Sequence, residues 1–397
     1  MSIADRLAEL DDIGIRQDGV FRMAWSAEDA ACRRWFERQA AEVGLTPARD
    51  PAGNLWAHPD CPPPWWAVGS HLDSVRGGGR FDGPLGVAAG FEIAAGSDVP
   101  VAVISFADEE GARFNTPTFG SKALTGALDL PTVLQRCDDE GTSLATALAN
   151  AGIEPNRITL AQRWLAKLAG FIELHIDQST AVAAADVPVA IVSALASRTR
   201  LEIELRGQAD HAGTTPLPLR RDALAAAARL IVRGQELAER SDGLLVTSSR
   251  ISVHPNAATT IAAHVRLWVD ARAPEATAVD DWRRALEHAA REISTRTRVE
   301  IAISTGSRSA EQAFDPDVRA RLVRAAEEGL GRPIPEVGCF AGHDAGVLAA
   351  RIPAAMILVR NATGISHSPG EAIRLEDAEF AVGVVARALS VVGGVSP

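Results

Sequence analysis

Residues 65–87, WWAVGSHLDSVRGGGRFDGPLGV, contain the pattern that decides the architecture of this chain. The apolar run WWAV leads directly into His71, Asp73 and a glycine-rich loop, and a small-residue helix is expected to begin near Gly86. A continuous apolar run of this kind is typical of a central strand that helices cover on both faces. Because the strand ends in glycines and acidic residues, it indicates a ligand site rather than a part of the core.

The same alternation of helix and strand continues along the first half of the chain. Residues 28–43 have helical spacing, a short strand is expected at 55–57, and VAVISFADEE (101–110) is a second apolar run that turns acidic at its end. This order predicts an α/β domain with a mainly parallel sheet flanked by helices, whose ligands gather at the carboxyl ends of the strands. An apolar strand and a closing helix over 380–392 resume the pattern near the end of the chain.

The segment 193–307 has a different pattern, in which strands and helices follow one another in the order βαββαβ. That order is typical of the ferredoxin-like α+β unit. We therefore predict two domains, one formed by 1–192 and 308–397 and the other inserted between them over 193–307.

Composition excludes several classes of function. The chain has 397 residues, 47% of them hydrophobic and 23% charged, and its net charge of −11 comes with no basic block, which argues against a nucleic-acid partner. With no signal-peptide pattern and no apolar run of membrane length, we expect a cytoplasmic protein without a membrane partner. The four scattered cysteines indicate reduced thiols rather than a disulfide framework.

His71, Asp73 and Asp82 form the first candidate site. His71 and Asp73 are two residues apart and point to the same side of an extended strand, as in a metal-binding histidine held by a carboxylate. Asp82 follows in the glycine-rich loop, where the backbone can bend towards the same point. A histidine near aspartates is also common in surface and capping arrangements, so the motif alone leaves both interpretations open.

Glu109 and Glu110 stand side by side at the end of the second apolar run. In one interpretation, these two residues form the acidic first turn of a helix. In the other, one carboxylate binds a metal ion and the other acts as a general base. His175 and His367 follow later strands, and each taken alone suits a structural histidine equally well.

Five of these side chains fall at strand ends of the predicted α/β domain: His71, Asp82, Glu110, His175 and His367. Three imidazoles and two carboxylates suit zinc, manganese, cobalt or nickel, and five ligands suit two ions that share one carboxylate. Paired ions activate water and polarise a carbonyl group, which is the chemistry of amide hydrolysis.

The motifs GSHLDSVRGGGRFDGPLGV, ADEEGARF, ELHIDQS, DHAGTTP, AGHDA and GISHSPGE occur in this order along nearly the whole chain. In that order they resemble the M20-type metal-dependent amidohydrolases. More narrowly, the chain is similar to the branch with N-carbamoyl-L-amino-acid hydrolases, β-ureidopropionases and allantoate amidohydrolases, of which a histidine at position 175 is a mark. The resemblance implies hydrolysis of an amide or ureido C–N bond in an N-carbamoyl or N-acyl amino acid, or in an allantoate-like substrate.

The resemblance also implies an aminopeptidase-like catalytic domain that holds two divalent ions per subunit, zinc or manganese, cobalt or nickel. Asp82 would bridge the ions, with His71 and His175 on one and Glu110 and His367 on the other. Glu109 would be the general base, and Asp73 would orient His71.

The inserted domain would serve as lid and dimer interface. His211 would reach the active site of the other subunit of a homodimer and stabilise the oxyanion. Arg200 and Arg272 would hold the carboxylate of a small-molecule substrate. Further substrate contacts are expected from Gln178, Thr259, Gly342 and His343.

Three positions depart from the family pattern. Asp177 replaces the usual glutamate, Ser179 replaces a glycine, and Thr259 replaces an asparagine that binds substrate in the family. The substrate pocket is therefore expected to differ. Two alternatives are an aminoacylase or dipeptidase of the wider family, and a non-catalytic binding homologue; Arg272 could also form only a surface ion pair with Asp270.

Overall fold

The computed structural model describes residues 1–390, which form two compact units. The first unit comprises Met1–Ser193, Ala313–Val337 and the described part of Ala341–Pro397, and the second comprises Ala194–Gln312 and Gly338–Phe340. The return of the chain to the second unit at 338–340 is a feature that the sequence pattern does not predict. Residues 391 and 392 of the expected closing helix, like the end of the expected 308–397 segment, lie outside the described residues.

The first unit is built on a mixed sheet whose centre is parallel, as expected. Its strands run, in spatial order, Val189–Leu195, Ala354–Val359, Leu168–Ile176, Trp65–His71, Val101–Phe106, Leu55–His58 and Thr46–Arg49. The four strands from Ala354–Val359 to Val101–Phe106 are mutually parallel, with Ala67 opposite Phe171 and Val68 opposite Val103. Short strands Gln312–Ala313 and Glu336–Cys339 lie where the chain passes between the units, and Ile15–Arg16 pairs with Gly19–Val20.

Helices cover both faces of this sheet. On one face the apolar side chains of Ile172 and Leu174 pack into a core shared with helices Ile3–Asp11, Pro84–Gly96, Pro316–Leu330 and Leu375–Ser390, and helix Ala27–Glu42 continues this layer. On the other face Asp344–Ala349 contacts the central strands and Phe119–Thr125. Shorter helical segments complete the unit: Leu130–Val133, Leu144–Asn150, Pro155–Ala161, Gln162–Leu165 and Ala181–Ala184.

Helix Pro84–Gly96 begins two residues earlier than expected, directly after the glycine-rich loop. Its small apolar residues are buried almost all round, which suits a helix enclosed between the sheet and other helices. Gly83 precedes it with φ of 87°, and a Cβ atom there would overlap the ring of His71. A glycine is therefore required at the point where the loop turns back over the end of the strand.

The second unit has the expected βαββαβ order: Ser197–Arg206, Ala223–Ala238, Leu245–His254, His264–Ala273, Ala276–Thr297 and Glu300–Ser309. The four strands form an antiparallel sheet with Leu245–His254 at one edge and Glu300–Ser309 at the other. The inward residues of the strands alternate with outward ones and pack on the two helices around Leu230, Trp282 and Leu286. A short 3₁₀ turn, Leu217–Leu219, precedes the first helix.

Among residues 1–390, no helix is both long enough and apolar enough to cross a membrane.

Candidate metal centre

Strand ends of the first unit bring the candidate ligands together. His71 is the last residue of Trp65–His71, and His175 lies next to the end of the neighbouring parallel strand Leu168–Ile176. Asp82 lies in the loop that follows His71, Glu110 follows strand Val101–Phe106, and His367 lies in the loop after Ala354–Val359. Parallel strands end at the same edge of a sheet, which is why these separated segments meet.

Asp82 lies at the middle of the cluster, and its two carboxylate oxygens face different partners. Oδ1 lies 3.6 Å from Nε2 of His71 and 3.1 Å from Nε2 of His175. Oδ2 lies 3.4 Å from Nε2 of His367, which in turn lies 3.5 Å from a carboxylate oxygen of Glu110. Two sets of ligand atoms, His71–Asp82–His175 and Asp82–Glu110–His367, are each spaced to surround a single metal ion, with all atoms within 4.8 Å.

The orientation of the imidazoles fits ligation through Nε2. Nδ1 of His71 is 3.0 Å from the backbone carbonyl of Asp73, and Nδ1 of His175 is 2.9 Å from that of Ile176. With Nδ1–H donating to a carbonyl, the lone pair is on Nε2, which faces Asp82. The buried Nε2 of His175 makes no regular hydrogen bond, so it remains available as a ligand.

The charges of the cluster also fit a cation. Although burial raises it, the imidazoles of His175 and His71 that face this carboxylate hold the pKa of Asp82 well below its usual range. Burial lowers the pKa of His71, but the facing carboxylates of Asp82 and Glu109 outweigh this and raise it well above its ordinary value. Within the described residues, the ion pairs of Asp82 and Glu110 involve histidines and no lysine or arginine. An excess of buried carboxylates around imidazoles is the donor set that divalent transition metals prefer.

Glu109 lies beside the cluster, with only 6% of its surface exposed. One of its carboxylate oxygens is 3.9 Å from Nε2 of His71. Burial, with the negative charges of Asp344 and Glu110, raises the pKa of Glu109 well above its ordinary value. Burial likewise raises the pKa of Glu110, with the charge of Asp82 adding to the effect. A buried carboxylate with a raised pKa next to a ligand cluster is suited to exchanging a proton with a reacting group.

Asp73 interacts with more than His71. Its carboxylate oxygen lies 3.7 Å from Nδ1 of His71, beyond hydrogen-bonding distance. The two oxygens instead accept hydrogen bonds from the backbone N–H of Glu109 and of Glu110, each at 3.1 Å. Asp73 therefore positions the segment that carries both glutamates, and it contacts His71 through its own backbone carbonyl.

The expected substrate contacts of the first unit lie against the same cluster. Nε2 of Gln178 donates to Oδ2 of Asp82 at 2.9 Å and lies 3.4 Å from Nε2 of His367. Gly342 and His343 form the loop before helix Asp344–Ala349, and the ring of His343 packs on that of His175 with centroids 4.4 Å apart. Burial, together with the charge of His175, lowers the pKa of His343 well below its ordinary value.

Two buried glutamates near the cluster were not anticipated from the sequence. Glu173 accepts hydrogen bonds from Oγ of Ser70 at 2.8 Å and from the N–H of Ala345 at 2.7 Å, and it forms a third possible ligand set with His175 and His343. The sequence does contain a signal for Glu173. It lies two residues before His175 in an apolar strand, and residues two apart on a strand point to the same face. Glu371, the last residue of GISHSPGE, contacts the backbone of Asp82 and has no comparable local signal.

Two of the departures from the family pattern interact with each other. Oδ1 of Asp177 accepts hydrogen bonds from the N–H of Ser179 at 2.9 Å and from its hydroxyl group at 2.7 Å. Oδ2 accepts from the N–H of Val182 at 3.0 Å. The shorter acid and the serine thus form one local turn that leads into helix Ala181–Ala184.

The second unit carries the other expected residues. Arg200 and Arg272 both bind Asp270, through Nε–Oδ2 at 2.9 Å and Nε–Oδ1 at 2.6 Å. The loop of His211 is joined to the loop of Thr259 by a hydrogen bond from the N–H of Ala212 to the carbonyl of Thr259 at 2.9 Å. The second unit therefore contains two clusters of expected site residues. In one, two arginines share the carboxylate of Asp270. In the other, the loop of His211 is hydrogen-bonded to the loop of Thr259.

Nδ1 of His211 accepts hydrogen bonds from the backbone N–H of Gly213 at 3.0 Å and of Thr214 at 3.2 Å. A nitrogen that accepts two N–H groups carries no proton, so the neutral ring is protonated at Nε2. The exposed Nε2–H group is thus available as a hydrogen-bond donor.

Comparison with known proteins agrees with the resemblance stated from the motifs. The family model described as Peptidase family M20/M25/M40 matches residues 67–391. The chain is 36% identical to an N-carbamoyl-L-amino acid amidohydrolase of Geobacillus stearothermophilus, over 94% of this chain and 93% of the relative. It is 30% identical to an allantoate amidohydrolase of Escherichia coli (strain K12), over 90% and 89% of the two chains.

Solved structures lead to the same assignment. A hydantoinase/carbamoylase family amidase from Burkholderia ambifaria superposes with a TM-score of 0.83 and 32% identity, and the match covers 100% of this chain and 98% of that one. The predicted resemblance is confirmed, as is the α/β fold with its mainly parallel central sheet. The chain belongs to Peptidase family M20/M25/M40.

Proposed function

We propose that the protein is a metal-dependent hydrolase that cleaves a ureido C–N bond in an N-carbamoyl amino acid or an allantoate-like substrate. The observation that carries the proposal is the meeting of His71, Asp82, Glu110, His175 and His367, with the buried Glu109 beside His71. Relatives that span almost the full chain act on such substrates, as their names state. The wider-family aminoacylase or dipeptidase activity has no better support among these relatives.

Two divalent ions would be held at this site. His71 and His175 would bind one, Glu110 and His367 would bind the other, and Asp82 would contribute one oxygen to each. The five ligands suit zinc, manganese, cobalt or nickel. When bound, such ions polarise a carbonyl group and make water a better nucleophile near neutral pH.

Glu109 would supply the proton transfers. As the water oxygen bonds to the ureido carbon, the Glu109 carboxylate takes up a proton from that water. It then returns the proton to the departing nitrogen as the C–N bond breaks, so that the carboxylate is regenerated. Burial raises the pKa of Glu109, which favours the uptake of a proton by its carboxylate.

Binding of the substrate carboxylate and stabilisation of the oxyanion are assigned to residues of the second unit. Asp270 holds Nε of both arginines and Arg272 also donates to the carbonyl of Phe340, so the two guanidinium groups are fixed side by side, and we assign them the substrate carboxylate. The tautomer of His211 supports a role as a neutral donor to the oxyanion. Gln178, Gly342, His343 and Thr259 are the further proposed substrate contacts.

A homodimer would allow His211 to act in the active site of the partner subunit. Strand Leu245–His254 supports this assembly because most of its residues are exposed and, among the described residues, it pairs with a neighbouring strand only through His264–Ala273. An open edge of this kind favours pairing with a second copy of the chain. Mixing His211→Ala and Glu109→Gln chains would then restore part of the activity, whereas mixed dimers without recovery would contradict action across the interface.

A substrate panel tests the function directly. The metal-supplemented protein is incubated with N-carbamoyl amino acids, allantoate, N-acetyl amino acids and dipeptides, and both ammonia and free amino acid are measured. We expect ammonia release from the ureido substrates, loss of activity with a chelator and recovery with Zn²⁺, Mn²⁺, Co²⁺ or Ni²⁺. Cleavage of only the acetyl or dipeptide substrates would favour the aminoacylase or dipeptidase alternative, and no turnover together with no bound metal would favour a non-catalytic homologue.

A further inference from the structure

Glu371 joins two loops that are far apart in the sequence. Its side chain is almost completely buried, with 6% of the residue exposed. Oε1 accepts a hydrogen bond from the backbone N–H of His367 at 3.2 Å, and Oε2 accepts from the N–H of Phe81 and of Asp82, both at 3.3 Å. One carboxylate thus links the backbones of two candidate metal ligands, Asp82 and His367.

Both loops depend on such a link for their shape. His367 has φ of 56°, in the left-handed region that side-chain-bearing residues seldom occupy without support from their surroundings. Asp82 follows three consecutive glycines, 77–79, whose backbone has many accessible conformations in the absence of tertiary contacts. Since Oδ2 of Asp82 and Nε2 of His367 lie 3.4 Å apart, a shift of either loop would alter this spacing.

The Glu371 carboxylate is itself held in place. A Cβ atom on Gly79 would overlap both of its oxygens, so the loop backbone packs directly against the carboxylate. The contact leaves no space for the side chain to move towards the loop. The carboxylate of Glu371 therefore occupies the space that a side chain at position 79 would fill, so this contact needs a glycine at that position.

We propose that Glu371 is a positioning residue that holds Asp82 and His367 at the spacing needed to bind a divalent cation. The inference rests on the metal site of the proposed function and adds a residue that is not itself a ligand. A glutamate is suited to this role because both of its oxygens accept hydrogen bonds. In a glutamine, the NH₂ group would face the N–H of His367 or those of Phe81 and Asp82.

Zinc binding without substrate tests the proposal. The chelator-treated protein is titrated with Zn²⁺ in competition with a chromophoric chelator, for the wild type and for Glu371→Gln. We expect zinc affinity to fall by about 10- to 100-fold in the variant, the range found when partners of metal ligands are removed. In a Co²⁺-loaded sample, the visible absorption of the bound ion is expected to change as well, because the ligands of the ion would be displaced.

Asp377→Asn is the matched control. Asp377 is also a buried acid of the first unit, with 3% exposed, but its carboxylate accepts from the guanidinium group of Arg360 at 2.8 and 2.9 Å. Both variants are expected to lower the thermal stability of the metal-free protein, and only Glu371→Gln should weaken zinc binding. An equal loss of zinc affinity in both variants would mean that Glu371 has a general structural role, and the proposal would be wrong.

Gly79→Ala displaces the carboxylate while leaving Glu371 unchanged, and it keeps the proposal testable if Glu371→Gln does not fold. Its control is Gly383→Ala, since a Cβ atom there would meet no neighbouring atom. Gly79→Ala should weaken zinc binding by a factor similar to that of Glu371→Gln, and Gly383→Ala should not. Affinities within twofold of the wild type in both Glu371→Gln and Gly79→Ala would overturn the proposal.

This test separates the inference from the proposed function. A wild-type protein that binds zinc but hydrolyses no ureido substrate would overturn the function, whereas the loss of affinity in Glu371→Gln would still support the role of Glu371. A wild-type protein that binds no divalent metal would overturn both.

Discussion

The carboxylate of Asp73 accepts a hydrogen bond from the backbone N–H of Glu109 at 3.1 Å, and its second oxygen accepts from the next N–H along the chain. The end of one parallel strand thereby holds the segment that follows its neighbour. Because the proposed base and one proposed metal ligand are consecutive residues of that segment, a single carboxylate sets the position of both. The sequence motif suggests only a contact between Asp73 and His71. In the structure, the contacts of the Asp73 carboxylate with the backbone of Glu109 and Glu110 are shorter than its contact with His71.

Asp73→Asn tests this arrangement. The asparagine retains one oxygen acceptor, but its NH₂ group would face one of the two backbone N–H groups and displace the segment. We expect kcat/KM on a ureido substrate to fall by about 10- to 100-fold, mainly through kcat. Asp139→Asn, at a largely exposed acid, provides the control and should behave as the wild type. Unchanged kinetics in Asp73→Asn would show that the backbone contacts do not affect catalysis.

Glu109→Gln separates metal binding from proton transfer. The glutamine is similar in size but cannot accept a proton, so we expect kcat to fall by about 10²- to 10⁴-fold. Zinc affinity is expected to change little, because Glu109 is not one of the proposed ligands. Kinetics combined with metal analysis of the purified variant provide the measurement. Turnover close to that of the wild type would exclude Glu109 as the base.

Asp270 provides a test of substrate binding. Its carboxylate binds both Arg200 and Arg272, and hydrogen bonds from these arginines lower its pKa even though burial raises it. In Asp270→Asn the guanidinium groups lose their shared anionic partner and the orientation that it provides. We expect KM for carboxylate-bearing substrates to rise by about tenfold or more, with a smaller change in kcat. If KM stayed the same, the arginine pair would be a surface ion pair without a role in binding.

Asp50 gives a prediction for stability against pH. It is buried and accepts hydrogen bonds from the backbone of Ala52 and Asn54 and from the side chains of Asn54 and Trp56. Burial nevertheless raises its pKa from 3.8 to about 6. Because the pKa of Asp50 is higher in the folded protein than in the unfolded chain, the protonated acid stabilises the fold. This contribution is complete at pH values below the unfolded pKa of 3.8, and it is lost as the pH rises through the folded pKa of about 6.

Denaturant unfolding of the wild type and Asp50→Asn from pH 4 to pH 8 checks this sign. The free energy of unfolding of the wild type, relative to the variant, should decrease by about 2 kcal/mol between pH 4 and pH 7 and be constant above that. An increase over this range would mean that the hydrogen bonds outweigh burial and that the pKa of Asp50 is lowered.

Much of the site could be predicted because the signals are local. An apolar run that ends in a histidine or an acid identifies a buried strand and places the polar residue at its end. All parallel strands of one sheet present that end to the same edge, so His71, Glu110 and His175 could be expected to meet before any distance was known. The alternating pattern of the inserted segment likewise indicated its βαββαβ order.

The partners of these residues could not be predicted in the same way. Glu371 and Phe81 are 290 residues apart, and nothing near GISHSPGE indicates that this glutamate faces the loop of Asp82. The double contact of Asp73 with Glu109 and Glu110 depends on how two neighbouring strands end, which is a matter of register. Predicted element ends also differed: the helix expected to begin near Gly86 begins at Pro84, directly after Gly83.

The amino-acid order alone thus determined which residue types stand at the ends of buried strands, because hydrophobic periodicity and glycine placement act over a few residues. The folded chain was needed to show that Oδ1 and Oδ2 of Asp82 face different imidazoles, and that Asp73 and Glu371 support the loops around them. Hydrogen bonds act over about 3 Å, so their partners are settled only when segments from distant parts of the chain pack together.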